Sequence, residues 1–248
     1  MLLLMPKVAI IIPCFNEEKR IVPGEYIELL RNKQNIHFIF YNDGSTDKTQ
    51  GILESIQQSS PGQVQIINSA HNTGKAVAVR SGILVAISDA SFEYTGYLDA
   101  DLSVSFDEFF NLLKKTVDHK ADYAFCSRIK MLNTDIQRNF LRHIIGRTIT
   151  TILDLFLKLG IYDTQCGAKI FTSRLSDKIF KDEFITRWLF DMELFIRINQ
   201  TESFAKGLEI PLKKWIARKG SKLNVSHYPR IIKDIFTLIT KYRIKENS

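Results

Sequence analysis

Residues 7–18 read KVAIIIPCFNEE, an unbroken apolar run that meets a proline and then turns acidic. An apolar run without alternation suits a strand buried on both faces, the condition of a parallel sheet covered by helices. Four similar runs follow: IHFIFYND at 36–43, VQIINS at 64–69, TGYLDA at 95–100 and DYAFCS at 122–127. All are β-branched or aromatic, and all end in polar or turn-forming residues. Between them, residues 47–58, 75–89 and 106–119 carry apolar positions three and four apart, as crossover helices do. The alternation predicts an α/β fold, a Rossmann-like and mostly parallel sheet flanked by helices.

The chain has 248 residues, 45% of them hydrophobic, enough for one large core. No Pro/Gly/Ser-rich linker, repeat or low-complexity stretch interrupts it, so a single domain over 1–248 is expected, with an elaborated C-terminal half. The net charge of +7 is unevenly spread. Residues 1–128 hold 12 Lys and Arg against 15 Asp and Glu, a net −3; residues 129–248 hold 22 against 12, a net +10. A basic second half suits an anionic partner such as nucleic acid, a membrane surface or a phosphorylated substrate. Solvated cations on exposed helices account for the same charge. No aromatic-basic sheet signature or zinc spacing supports nucleic acid. Cys14, Cys126 and Cys166 are odd in number and far apart, which speaks against disulfides and zinc and for a reducing cytoplasm. The opening MLLLM is too short for a signal peptide, and no run approaches the roughly 18 apolar residues of a membrane span.

Open α/β sheets bind ligands outside the carboxyl ends of their strands. Three such ends are loaded here: PCFNEE at 13–18, NDGSTD at 42–47 and DADLS at 99–103. The first two have structural readings. Pro13 can end a strand, and Glu17 and Glu18 favour a helix N-terminus. Asp43-Gly44 suits a turn, with Ser45 or Thr46 capping a helix from about Asp47. Asn42 and Asp43 also stand where a nucleobase could be read. The third end is more demanding. If the strand stays extended, Asp99 and Asp101 point to one side, and converging carboxylates need a proton or a cation between them. Mg²⁺ or Mn²⁺ takes carboxylate oxygens and completes its shell with water and phosphate. Two solvated turn aspartates are the alternative.

HNTGKAVAVRSG at 71–82 is not a Walker A loop, because Ala76 follows Lys75 and no glycine stands five residues before Gly74. What it offers is a helix N-terminus with Lys75 facing an anion and Arg80 a turn or two later. A surface helix with two stray cations is the equal alternative.

Taken together, PCFNEE, NDGSTD, NTGKAVAVRSG and DAD resemble the glycosyltransferase family 2 pattern, whose fold is GT-A. In the second half, SR at 127–128, DTQCGAKIF at 163–171, RWLFDMELFIR at 187–197 and RKGSKL at 218–223 resemble the polyprenyl-phosphate sugar synthases, most of all their dolichyl-phosphate β-glucosyltransferase branch. The resemblance covers roughly residues 7 to 240. It implies a nucleotide-sugar half, 1–128, and an acceptor half, 129–248. Pro13, Phe15, Glu17, Asp43 and Lys75 would then hold the nucleotide sugar, and Asp99 and Asp101 a Mg²⁺ or Mn²⁺ on its diphosphate. A glutamine that mannosyl relatives use as third ligand is replaced by Ser103. Arg128, Arg142, Arg218 and Lys222 would take the acceptor phosphate.

The implied reaction is inverting transfer of a hexose, glucose from UDP-glucose in this branch, to a polyprenyl phosphate. Cations stabilise the leaving diphosphate. An acceptor phosphate is already anionic, so positioning and electrostatics carry the rate without a general base. A saccharide hydroxyl acceptor would need a carboxylate base, for which Asp191 and Glu193 in FDMEL are placed. A non-catalytic sugar-nucleotide-binding protein is the reading outside enzymology. FLRHIIGRTITTILDLFLKL at 140–159 and PRIIKDIFTLITKYRIK at 229–245 are basic and amphipathic, as helices lying on an anionic membrane are. Packing against the sheet is the commoner fate of each, but as a pair they predict peripheral attachment to the inner face of the membrane.

Overall fold

The computed structural model describes residues 5–132, 134–137, 140–157, 159–216 and 228–243. In chain order its elements are β1 (Val8–Cys14), α1 (Pro23–Asn32), β2 (Ile36–Asp43), α2 (Thr49–Ser59), β3 (Val64–Ser69), α3 (Lys75–Ile87) and β4 (Tyr94–Leu98). Next come α4 (Phe106–Asp118), β5 (Tyr123–Ser127), β6 (Asp135–Gln137), α5 (Phe140–Leu157), β7 (Ala168–Thr172), α6 (Ser173–Ile179) and α7 (Phe190–Asn199). A 3₁₀ turn (Glu202–Lys206), β8 (Gly207–Pro211), β9 (Lys214–Ile216) and α8 (Tyr228–Arg243) complete the chain. They form two compact units, residues 1–102 with 167–183, and residues 103–166 with 184–248.

In the first unit β1 pairs in parallel with β2 on one edge and β4 on the other, and β3 adds in parallel to β2. Val8 to Ile12 are wholly buried, so the continuous apolar run is a strand covered on both faces. β7 lies antiparallel to β4, with Tyr97 opposite Lys169, an arrangement the sequence did not announce. At Gly96 a Cβ would lie 2.4 Å from the Lys169 carbonyl, so glycine is what lets the two backbones close. A buried Thr95–Ser176 hydroxyl pair at 2.7 Å ties α6 behind the same strands.

In the second unit β5 pairs in parallel with β8, and β6 with β9. Tyr123, Phe125 and Phe195 form an aromatic cluster under β5. The wholly buried Glu193 of α7 is a knot. Its Oε2 accepts the Ile185 and Thr186 N–H groups at 2.9 and 3.1 Å. Its Oε1 accepts from Arg197 at 2.8 Å and from the Tyr242 hydroxyl of α8 at 3.0 Å. A buried carboxylate survives only with such compensation. Glu193 is therefore a fastener of α8 and of the 185–186 segment.

Burial pushes the Tyr242 hydroxyl up to about 12 from its ordinary 10.0, and burial does the same to Tyr123. A raised tyrosine contributes stability fully below pH 10 and loses it as pH climbs towards 12. Tyr242→Phe should lower stability by about 1 kcal/mol at neutral pH. Urea unfolding as a function of pH should show a smaller alkaline loss in the variant, with the part owed to Tyr123 remaining.

Candidate active site

With β2 and β3 on one side of β1 and β4 on the other, the chain reverses its order between β1 and β4. The crevice outside their carboxyl ends is the ligand position of such sheets. Pro13 lies within the end of β1 opposite Tyr41, and Phe15, Asn16 and Glu17 follow. Asn16 takes a left-handed φ of 53°, its side chain accepting from the Thr46 N–H at 2.9 Å and its own N–H meeting Ser45 Oγ at 3.0 Å. The Glu17 N–H reaches Thr49 Oγ1 at 2.8 Å, and the Glu18 N–H reaches Asp47 at 3.1 Å. The loops after β1 and β2 are thus interlocked. This changes the expected cap of α2. The helix starts at Thr49, and Asp47 accepts the Thr49 N–H and hydroxyl at 3.0 and 2.5 Å, while Ser45 and Thr46 serve the neighbouring loop. Burial raises the Asp47 pKa, but the Thr49 hydrogen bonds outweigh it and hold the carboxyl below its ordinary value.

Strand β4 ends at Leu98, so the extended alternation expected to align Asp99 with Asp101 does not operate. A turn replaces it: the Leu102 N–H donates to the Asp99 carbonyl at 3.1 Å, and Leu102 has a φ of 49°. The Tyr26 hydroxyl donates to the Ala100 carbonyl at 3.2 Å. Burial foremost, then the charges of Cys14 and Asp101, push that hydroxyl well above its usual value, so it stays a donor. The two carboxylates face different cations. Lys75 Nζ is 2.6 Å from Asp99 Oδ1, and Arg20 stands 3.9 Å from Asp101 while also binding Glu17. Arg20 was not singled out in the sequence, where it is merely the last of the charged letters NEEKR.

Among the described residues no three His, Cys, Asp or Glu side chains form a metal-binding group. Two hard carboxylates in one tight turn still fit Mg²⁺ or Mn²⁺, ions that take few protein oxygens and draw the rest of their shell from water and phosphate. The donor set therefore suits a metal completed by substrate.

Asp43 is 3% exposed, and its carboxylate is used inside the protein. It accepts from the Thr73 N–H and hydroxyl at 2.7 and 2.6 Å, the Gly74 N–H at 2.8 Å and Asn72 at 3.0 Å. It thereby shapes the loop that delivers Lys75 as the first residue of α3, after Gly74 at a φ of 100°. Asn42 is likewise held, by Gln50 at 2.7 Å and Asn68 at 3.1 Å. Among the described residues Arg80 meets carbonyls: it donates to those of Phe180, Lys181 and Asp182 at 3.0, 2.6 and 3.2 Å.

In the second unit Arg128 grips Asp163 bidentately at 2.7 and 2.8 Å, its guanidinium 5.3 Å from the Trp215 ring. The Asp163 and Tyr162 N–H groups donate to Glu209 at 2.9 and 3.1 Å. Arg147 donates to the Tyr162 carbonyl at 2.8 Å and stacks on its ring at 4.1 Å. Asp163, Glu209 and Arg147 are thus the supports of Arg128, through pairings 15 to 47 positions apart that no local pattern displays. Asp191 is 4% exposed in the first turn of α7. Arg142 belongs to α5, but its side chain, like the whole of Arg218 and Lys222, lies outside the described residues.

Carboxylates and a lysine thus cluster at the strand ends of this sheet, at the place where such sheets bind ligands. The model of glycosyl transferase family 2 matches residues 9–180, and the chain belongs to that family. It is a glycosyltransferase of the GT-A fold. More narrowly, it is 29% identical over 96% of its length to dolichyl-phosphate beta-glucosyltransferase ALG5D of Trichomonas vaginalis, covering 74% of that protein. It is 30% identical over 94% of its length to ALG5C of the same organism, covering 71% of it. The dolichyl-phosphate beta-glucosyltransferase of Saccharomyces cerevisiae is 29% identical over 87% of this chain and 68% of its own. The fold is shared with glucosyl-3-phosphoglycerate synthase from Mycobacterium tuberculosis, solved with Mn²⁺, UDP-glucose and phosphoglyceric acid. The TM-score is 0.70 at 12% identity, covering 96% of this chain and 80% of that one.

Asp43→Asn should unfold at lower urea, by about 1–3 kcal/mol, because an amide donor would face N–H groups that need an acceptor. Equal stability of the two proteins would show that the 72–74 loop is held by something else.

Proposed function

We propose that the protein is an inverting hexosyltransferase that moves glucose from UDP-glucose to a polyprenyl phosphate. The observation that carries the donor side is the turn at 99–102 at the carboxyl end of β4, where Asp99 meets the Lys75 ammonium and Asp101 faces Arg20. The acceptor follows from the relatives named above. Pro13, Phe15 and Glu17 take the nucleoside, together with Asp43 through the loop it holds. Asp99 and Asp101 hold Mg²⁺ or Mn²⁺. The ion supplies charge for the leaving diphosphate. Lys75 adds a second cation at the same place, attracting the charge that develops on the leaving diphosphate. Arg128, its guanidinium plane fixed by Asp163, takes the acceptor phosphate with Arg142, Arg218 and Lys222. The phosphate oxygen attacks the anomeric carbon from the side opposite the leaving group, and no side chain has to remove a proton.

A lipid acceptor calls for a membrane surface. No described helix is long and apolar enough to cross a membrane. Helices α5 and α8, which pack on one another, leave Ile152, Leu155 and Phe156 and then Ile232 and Phe236 in solvent. Apolar side chains on helices flanked by Lys233 and Lys241 suit shallow insertion among anionic headgroups. These exposed apolar side chains support the reading of a protein attached peripherally to the inner, cytoplasmic face.

The deciding experiment supplies purified protein with Mg²⁺ or Mn²⁺ and compares UDP-glucose with GDP-mannose, with and without a polyprenyl phosphate. Glucosyl lipid formed only when the phosphate is present is the expected result. Glycosylation of a saccharide hydroxyl instead would make Asp191 the base and end the lipid-phosphate reading. Asp101→Asn should lower turnover about 100-fold or more with an unchanged circular dichroism spectrum. Leu155→Ser combined with Phe236→Ser should weaken sedimentation with phosphatidylglycerol vesicles about ten-fold or more.

A further inference from the structure

Gly167 immediately precedes β7, and its carbonyl accepts the Asp99 N–H at 2.9 Å. Its φ lies outside the left-handed region, so the backbone there would accept any residue. Space would not. A Cβ on Gly167 would lie 1.9 Å from Asp99 Oδ2, 2.3 Å from Cγ and 2.9 Å from Oδ1. Gly82 and Gly207 are also tight, but they meet the Ile11 and Tyr123 side chains, which belong to the core. At Gly167 the neighbour is a carboxylate, 40% exposed and bound on its other side by Lys75 at 2.6 Å.

We propose that Gly167 is a positioning residue for Asp99. One residue both grips the Asp99 backbone and vacates the volume that its carboxylate occupies. The carboxylate lies against bare main chain, with Lys75 Nζ on Oδ1, and the Tyr26 hydroxyl and the Leu102 N–H fix the turn on either side. A methyl group at 167 would drive the carboxylate from that place and separate it from Lys75. The consequence for metal rests on the reading of Asp99 as a metal ligand given above, and the test separates the two.

The 248-residue protein is titrated with Mn²⁺ at fixed UDP, with UDP binding followed by calorimetry, for the parent, Gly167→Ala, Asp99→Asn and the control Gly51→Ala, whose Cβ would meet nothing within 4 Å. Gly167→Ala should raise the Mn²⁺ concentration for half-saturation about ten-fold or more, and Gly51→Ala should leave it unchanged. If Asp99→Asn loses the Mn²⁺ dependence while Gly167→Ala keeps it, the positioning role is refuted and the metal reading stands. Should Asp99→Asn keep it as well, both fall. A thermal-unfolding cycle covers poor folding of the variant. Gly167→Ala should lower Tm by several degrees when Asp99 is present and by much less in the Asp99→Ala background. An equal loss in both backgrounds would mean that the carboxylate is not what a side chain at 167 strikes, and would overturn the proposal.

Discussion

A strand covered on both faces and paired along both edges has nowhere to carry chemistry except its end. β1 is such a strand: Val8 to Ile12 are wholly buried, with β2 along one side and β4 along the other. Its backbone groups are consumed by the ladders and its side chains by the core. Everything polar must wait until Cys14, where the ladder to β2 runs out. Because β2 and β4 lie on opposite sides of it, their following loops open on either hand of the same point. Glu17 and Arg20, Asp43 with its loop, and the Asp99–Leu102 turn gather there as a result of that burial.

The charges gathered at that end, and those deeper in the second unit, share one design. Three of the carboxylates are answered by donors fixed by the backbone. Asp43 takes two N–H groups of the 72–74 loop, Glu193 takes two at 185–186, and Asp163 takes the Arg128 N–H as well as its guanidinium. A backbone N–H loses no side-chain entropy when it binds, so it compensates a buried charge more cheaply than a lysine could. Asp99 differs, since it is partly exposed and answered by the flexible Lys75. That is the less committed arrangement, and it suits the metal-ligand role proposed for Asp99.

The strands were the legible part of the sequence. IHFIFYND and VQIINS are β2 and β3 from first letter to last, and the helices at 75–87 and 106–118 match their apolar spacing closely. β7 was hidden because its residues AKIFT include a lysine, which pattern reading assigns to the surface. Lys169 is nevertheless fully buried, its ammonium 5.1 Å over the ring of its cross-strand neighbour Tyr97. The site was half legible. Residue types at strand ends drew attention to these letters, but their geometry was not in the pattern. The carboxylate spacing at 99 and 101 assumed a strand that a left-handed Leu102 cuts short. Asp43, read as a group open to a nucleobase, spends its oxygens on residues 30 positions later. Contacts of that range are set by topology, which one sequence does not display.

The first unit is completed by residues that arrive late. β7 and α6 close it, yet the 64 residues from 103 to 166 of the second unit are made before them. A nascent chain that has emerged as far as Cys166 has β4 with one edge paired to β1 and the other edge without β7. An open edge of this kind is a template for pairing with other chains. During synthesis the protein therefore passes through a long interval in which its most regular half is also its most adhesive, and protection by chaperones would matter most there.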